Sequence, residues 1–116
     1  MIRNFYTCDK ETNESSHDGE GSIDIYRAFR RKDFDGAWDF AIRVVMPPGS
    51  SMGEHSHGDD EEMYIIQKGE GTMIIEGVET KVTAGDMIVN KRFGTHGLAN
   101  TSKKDIELLI IQASLK

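Results

Sequence analysis

Gly49-Ser50-Ser51-Met52-Gly53-Glu54-His55-Ser56-His57-Gly58-Asp59-Asp60-Glu61-Glu62 is a glycine- and acid-rich stretch that carries two histidines one residue apart. On a strand, residues i and i+2 point to the same side, so His55 and His57 present two imidazoles on one face, about 7 Å apart at their bases. Each ring reaches inward by several ångströms, so both can meet one ion at metal–nitrogen distances of about 2.0 to 2.2 Å. The next strand adds a carboxylate. Glu62, Tyr64 and Ile66 share one of its faces while Glu61, Met63 and Ile65 share the other, and the period of two leaves the two glutamates equal candidates.

Outward from this stretch the same period recurs. Ile23, Ile25, Arg27 and Phe29 share one face of a predicted strand, and Trp38, Phe40, Ile42, Val44 and Met46 share one face of the next. Short apolar runs follow at Met63 to Ile66, Met73 to Ile75, Met87 to Val89 and Ile106 to Ile111. Turn residues separate them: Lys68-Gly69-Glu70-Gly71, Glu76-Gly77, Ala84-Gly85-Asp86, Gly94-Thr95 and Asn100-Thr101-Ser102. No apolar stripe at helical spacing is long enough for a confident helix. Many short strands with glycine-marked turns predict an all-β sandwich or barrel.

The 116 residues suit one domain with one hydrophobic core. Residues 1–22 are expected to form an N-terminal arm and acidic loop and 23–116 the single barrel domain. Lys10 to Ser22 is polar and acidic, so a mobile loop is expected there, with His17 solvated and outside the site. Fourteen basic against 20 acidic residues give a formal charge of −6, which argues against nucleic acid or an anionic membrane as partner. No apolar run is long enough to span a bilayer and the N-terminus lacks a signal peptide's apolar stretch, so a soluble, cytoplasmic protein is expected. Cys8 is the only cysteine. It permits no intrachain disulfide and, near a terminus expected to fray, it reads as structurally incidental.

The spacing resembles the cupin superfamily. That family's first motif, G(X)5HXH(X)3,4E(X)6G, is matched by Gly49, His55, His57, Glu62 and Gly69, and the closing glycine, six residues beyond Glu62, selects Glu62 over Glu61. The second motif, G(X)5PXG(X)2H(X)3N, is matched at Gly85, His96 and Asn100, with Lys91 in place of the proline and Phe93 in place of the glycine. The resemblance covers roughly residues 40 to 112. It implies a small antiparallel β-barrel of jelly-roll type, often a homodimer, holding one divalent transition metal through His55, His57, Glu62 and His96. The strands before Phe40 would be candidates for pairing across such a dimer.

Three imidazoles and one carboxylate around a divalent ion leave a charge near +1 and, in a six-coordinate site, two adjacent positions for water or a small anionic chelate. The donor set accepts manganese, iron, nickel, cobalt or zinc; manganese is the first expectation. Tyr64, on the face of Glu62, is a candidate proton donor, though an aromatic core residue is the commoner role for such a position. Arg43 is expected on the outside of its strand, in water. The resemblance leads first to a metal-dependent enzyme of dioxygenase, decarboxylase, isomerase or lyase type acting on a small polar or anionic molecule, and second to a non-catalytic binding or sensing module. Thiol dioxygenases with a crosslinked cysteine are set aside because Cys8 is remote from both motifs. Oxalate decarboxylases and quercetin dioxygenases tend to have two barrels, and sugar-responsive regulators carry a DNA-binding domain.

Overall fold

The computed structural model describes residues 1–114, so the last two residues of the expected 23–116 domain lie outside the described residues. Ten strands follow one another: β1 (Lys10–Glu14), β2 (Ser22–Phe29), β3 (Trp38–Met46), β4 (Ser51–Ser56), β5 (Asp60–Lys68), β6 (Glu70–Ile75), β7 (Val78–Thr83), β8 (Met87–Asn90), β9 (Thr95–Ala99) and β10 (Ile106–Ser114). Among the described residues helical structure is confined to two 3-10 turns, Ser16–Asp18 and Arg31–Asp33. No helix among the described residues is long and apolar enough to cross a membrane.

Strands β3 to β10 make two facing four-stranded sheets, β3-β10-β5-β8 and β4-β9-β6-β7, and every pairing is antiparallel. This is the jelly-roll arrangement, in which two sheets curl around one core. Strands β2 and β1 extend the first sheet beyond β3, so β2 pairs within its own chain and β1 is left as the edge. The alternating side chains of both sheets fill the interior: Ile42, Val44 and Met46 from β3, Tyr64 and Ile66 from β5, Met73 from β6, Leu98 from β9, and Leu108 and Ile110 from β10. Burying each side chain of this size stabilises the fold by roughly 1.5–3 kcal/mol. The β6–β7 connection shows how turn chemistry fixes register. Glu76 and Gly77 both hold positive φ, 50° and 77°, as the tight two-residue hairpin matching strand twist requires.

Several expectations change. Lys10 to Ser22 is not a loop throughout, because Lys10–Glu14 pairs residue by residue with Ser22 to Tyr26. All five β1 residues are exposed on both faces, so no apolar alternation marked the strand. The face shared by Ile23, Ile25, Arg27 and Phe29 breaks at a register shift between Arg27 and Phe29, which turns Ala28 inward. Arg43 does lie opposite Ile42 and Val44, but it is only 6% exposed, because the N-terminal segment folds back over it. Its Nε donates to the Phe5 carbonyl (3.1 Å), its Nη1 pairs with Glu107 (2.9 Å), and the guanidinium lies 4.0 Å from the Tyr26 ring centroid and 4.8 Å from that of Tyr6. The N-terminus is accordingly docked rather than frayed. Arg3 donates to the Ala28 carbonyl and pairs with Asp33 at 2.6 Å, and the partly buried free thiol of Cys8 sits in a turn closed on the Asn4 carbonyl.

Candidate metal centre

Each of the four expected ligands reaches one point by a different local route. His55 ends β4 opposite His96 of β9, and the pair is in register across the second sheet. His57 lies one residue beyond β4, where its backbone N–H donates to the Gly94 carbonyl, so it is held by the β8–β9 loop. Glu62 stands on β5 of the first sheet. On that strand Glu62, Tyr64 and Ile66 are buried while Glu61 and Met63 are exposed, so the glutamate that period two left open is the inward one. Ligand atoms of His55, His57, Glu62 and His96 all lie within 4.8 Å of one another.

The donor geometry fits a cation. Nε2 of His57 and Nε2 of His96 are 2.5 Å apart, and Glu62 Oε1 is 2.8 Å from the first and 3.3 Å from the second. Two ring nitrogens and a carboxylate oxygen thus face one shared point. The outer ring atoms explain why. His57 Nδ1 contacts the Asp60 carboxylate and His55 Nδ1 lies 3.0 Å from the Gly53 carbonyl, so each ring donates its proton away from the centre and turns an unprotonated Nε2 inward. That outer hydrogen bonding is the usual way a metal-binding imidazole has its tautomer and direction fixed. Glu62, only 8% exposed, keeps Oε1 without a hydrogen-bond partner, and a buried carboxylate oxygen in that state calls for a positive charge.

Around this centre lie the candidate Tyr64 and groups that the sequence did not assign. Tyr64 is 1% exposed and meets the His96 ring edge-on with centroids 5.4 Å apart. Burial, reinforced by the nearby Glu62 charge, pushes its hydroxyl well above the ordinary phenol value, so Tyr64 stays protonated and can donate a hydrogen bond. Asn90, directly opposite Glu62 across β5 and β8, is 2% exposed with neither amide atom partnered within the protein, as is His96 Nδ1. Both line a gap of about 260 Å³ bordered by Ile75, Glu76 and Thr95.

His17 is exposed and outside the group of four, as expected of a loop histidine, but it is not remote from that group. Its ring stacks on His55 with centroids 3.6 Å apart and planes within 10°. Burial against that neighbour lowers the His17 pKa from the ordinary imidazole value, with the Glu62 carboxylate opposing, and burial likewise lowers His55, with the Gly53 carbonyl opposing. The β1–β2 hairpin is what returns His17 to the barrel, and without that hairpin the sequence offered no link between them. The second motif's departures also resolve. Phe93, where the motif has glycine, holds φ at +59°, so the left-handed turn into β9 survives the substitution. Asn100 is a structural knot. Its amide donates to the carbonyls of Met46 (2.8 Å) and Lys104 (2.7 Å), and its oxygen accepts from the Ser102 backbone N–H and hydroxyl.

Residues 42–112 match the model of the cupin domain. The chain belongs to the cupin family. An oxalate-binding protein from Thermotoga maritima is 29% identical to this cupin over 93 residues, covering 80% of the chain and 77% of the relative. The crystal structure of a predicted oxalate decarboxylase from Thermotoga maritima superposes on it with a TM-score of 0.95 at 26% identity, over 99% of this chain and 100% of the other. An RmlC-like cupin from Shewanella frigidimarina, at 15% identity and a TM-score of 0.78, covers 99% of this chain and 91% of its own and shares the fold.

Proposed function

We propose that this cupin binds one divalent transition metal, manganese before iron, nickel, cobalt or zinc, through His55, His57, Glu62 and His96, and that it acts on a small chelating anion of the oxalate class. The observation that carries the metal is the convergence of unprotonated ring nitrogens on the unpartnered Glu62 oxygen. The observation that carries the ligand class is the likeness over most of its length to a relative named for oxalate. When bound, the metal would supply Lewis acidity for a chelated carboxylate. The chain's own contributions are distinct. Asp60 and the Gly53 carbonyl orient two imidazoles, Glu62 lowers the charge of the centre, and Tyr64 offers a permanently protonated hydroxyl on the interior face of β5.

Turnover is the second reading, supported by Tyr64 as a neutral hydrogen-bond donor beside a chelated anion. A cytoplasmic setting and a homodimer belong to the same proposal, and the free Cys8 thiol accords with a reducing compartment. Calorimetric titration of metal-free protein with manganese(II), then with oxalate, tests the reading. One metal per chain, oxalate binding only after loading, and loss of both steps in His57→Ala are expected. Oxalate binding without metal, or no metal uptake, overturns it. Formate and carbon dioxide released from the loaded protein, and reduced in Tyr64→Phe at unchanged metal content, would establish the catalytic form.

A further inference from the structure

The loop carrying His17 has a backbone that ordinary side chains avoid. Ser15, His17 and Asp18 hold φ values of 52°, 50° and 61°, and each left-handed non-glycine residue costs about 1–3 kcal/mol unless its surroundings enforce it. Strand β4 enforces it. Ser51 donates its backbone N–H to the Glu20 carbonyl (2.8 Å) and its hydroxyl oxygen accepts from the Glu20 N–H (2.8 Å). A side-chain carbon at Gly53 would lie 2.1 Å from the His17 carbonyl oxygen, and one at Gly19 would lie 2.2 Å from that of Ser51. Two glycines therefore let the loop and β4 touch backbone to backbone, and the contact sets His17 over His55.

The hairpin closes a cavity of about 180 Å³. His55, Glu62 and Tyr64 line it from the barrel, and Asn13, His17 and Arg27 line it from the hairpin. At about 30 Å³ per water molecule this is room for a two- or three-carbon dicarboxylate and little more. His17 is outside the group of four convergent ligands, so its ring nitrogens are free for hydrogen bonding. Arg27 uses one guanidinium nitrogen on Glu11 at 2.6 Å, on a half-exposed pair, and keeps further donors.

We propose that His17 and Arg27, from a hairpin outside the matched cupin segment, form the outer half of the ligand site and select small dianions over monoanions. This rests on the metal-and-anion reading above. One carboxylate of the ligand would sit on the metal side at His55 and Glu62. The other would meet the imidazole N–H and the guanidinium, which supply the second positive charge that a centre of charge near +1 lacks.

The test uses manganese-loaded full-length protein with oxalate and malonate as dianion probes and pyruvate as the monoanion. Arg27→Gln and His17→Ala are expected to weaken dianion binding at least tenfold, with metal content kept and pyruvate affinity changed less than twofold. Gly19→Ala, which displaces the loop at the Ser51 carbonyl without touching a ligand residue, should reproduce the loss, and His17→Gln, which keeps a donor, should recover part of it. Dianion binding that is tight in wild type and unchanged in all variants overturns this inference and leaves the metal-and-anion reading standing. Loss of metal in His17→Ala also overturns it, since His17 would then be a ligand. Wild type that takes up metal but binds no probe sinks both.

Discussion

Replacing Glu62 by glutamine should raise the stability of the metal-free protein and cut the stabilisation that metal supplies. In the metal-free centre a buried carboxylate oxygen without a hydrogen-bond partner lies 2.8 Å and 3.3 Å from two ring nitrogens. An amide there removes the charge and can turn an N–H toward His57 Nε2. Relief of an unpaired buried charge plus one new hydrogen bond is worth about 1–3 kcal/mol. At roughly 4 °C per kcal/mol for a domain of this size, the melting temperature of metal-free Glu62→Gln should exceed that of wild type by several degrees. Metal works the other way. With free manganese at 100 times Kd, wild type gains about 2.7 kcal/mol, or roughly 10 °C. If losing the carboxylate weakens Kd about 100-fold, the variant gains only about 0.4 kcal/mol at the same concentration. Differential scanning calorimetry of both proteins, with chelator and with manganese, reads all four numbers. A variant less stable than wild type without metal, yet with its metal shift intact, would refute the assignment of Glu62 as the charged ligand.

Four further outcomes are expected. Because burial lowers the His17 and His55 pKa values, the unfolded chain binds more protons near the ordinary imidazole value, so this contribution is full above about pH 6.5 and lost on acidification. The urea midpoint of metal-free protein should fall from pH 8 to pH 5, less steeply in a His17→Gln, His55→Gln double variant; a midpoint that rises on acidification contradicts it. Arg43→Ala removes the buried guanidinium's bonds to Glu107 and the Phe5 carbonyl and uncovers the N-terminal segment, while Glu107 keeps Lys68 at 3.6 Å, and should cost about 1.5–3 kcal/mol in urea unfolding; a loss under about 0.5 kcal/mol would show the pair to be incidental. Phe93→Gly relieves a left-handed, exposed aromatic and should stabilise the protein by about 1 kcal/mol with metal uptake unchanged. Asn90→Leu removes a buried amide with no protein partner and should raise metal-free stability by about 1–3 kcal/mol; a decrease would show that the amide is engaged.

What could be read from the sequence was whatever leaves a periodic or spaced trace. The barrel strands alternate because one face is buried, and the candidate quartet was legible from strand periodicity together with the resemblance to the cupin motifs. Glu62 needed more. Alternation treated it and Glu61 alike, and only the packing of β5, with Tyr64 and Ile66 inward, gives the physical reason for the choice. Strand β1 was invisible because a two-sidedly exposed edge has no apolar period, and His17 was missed for the same reason, since its place depends on that hairpin. Arg43 was mistaken for a solvated residue because its cover comes from a segment nearly forty positions away, held by backbone and ring contacts that carry no sequence signature.

The composition of β1, Lys-Glu-Thr-Asn-Glu, has a consequence for how the protein behaves in crowded solution. It borders the larger sheet with charged and polar side chains, the kind of rim that discourages another molecule from adding a strand. Removing residues up to Gly21 would leave β2, with Ile23, Ile25, Tyr26 and Phe29, as the border in its place. The shortened chain would keep its barrel strands yet offer an apolar template for sheet growth, so self-association should set in before the fold itself is lost.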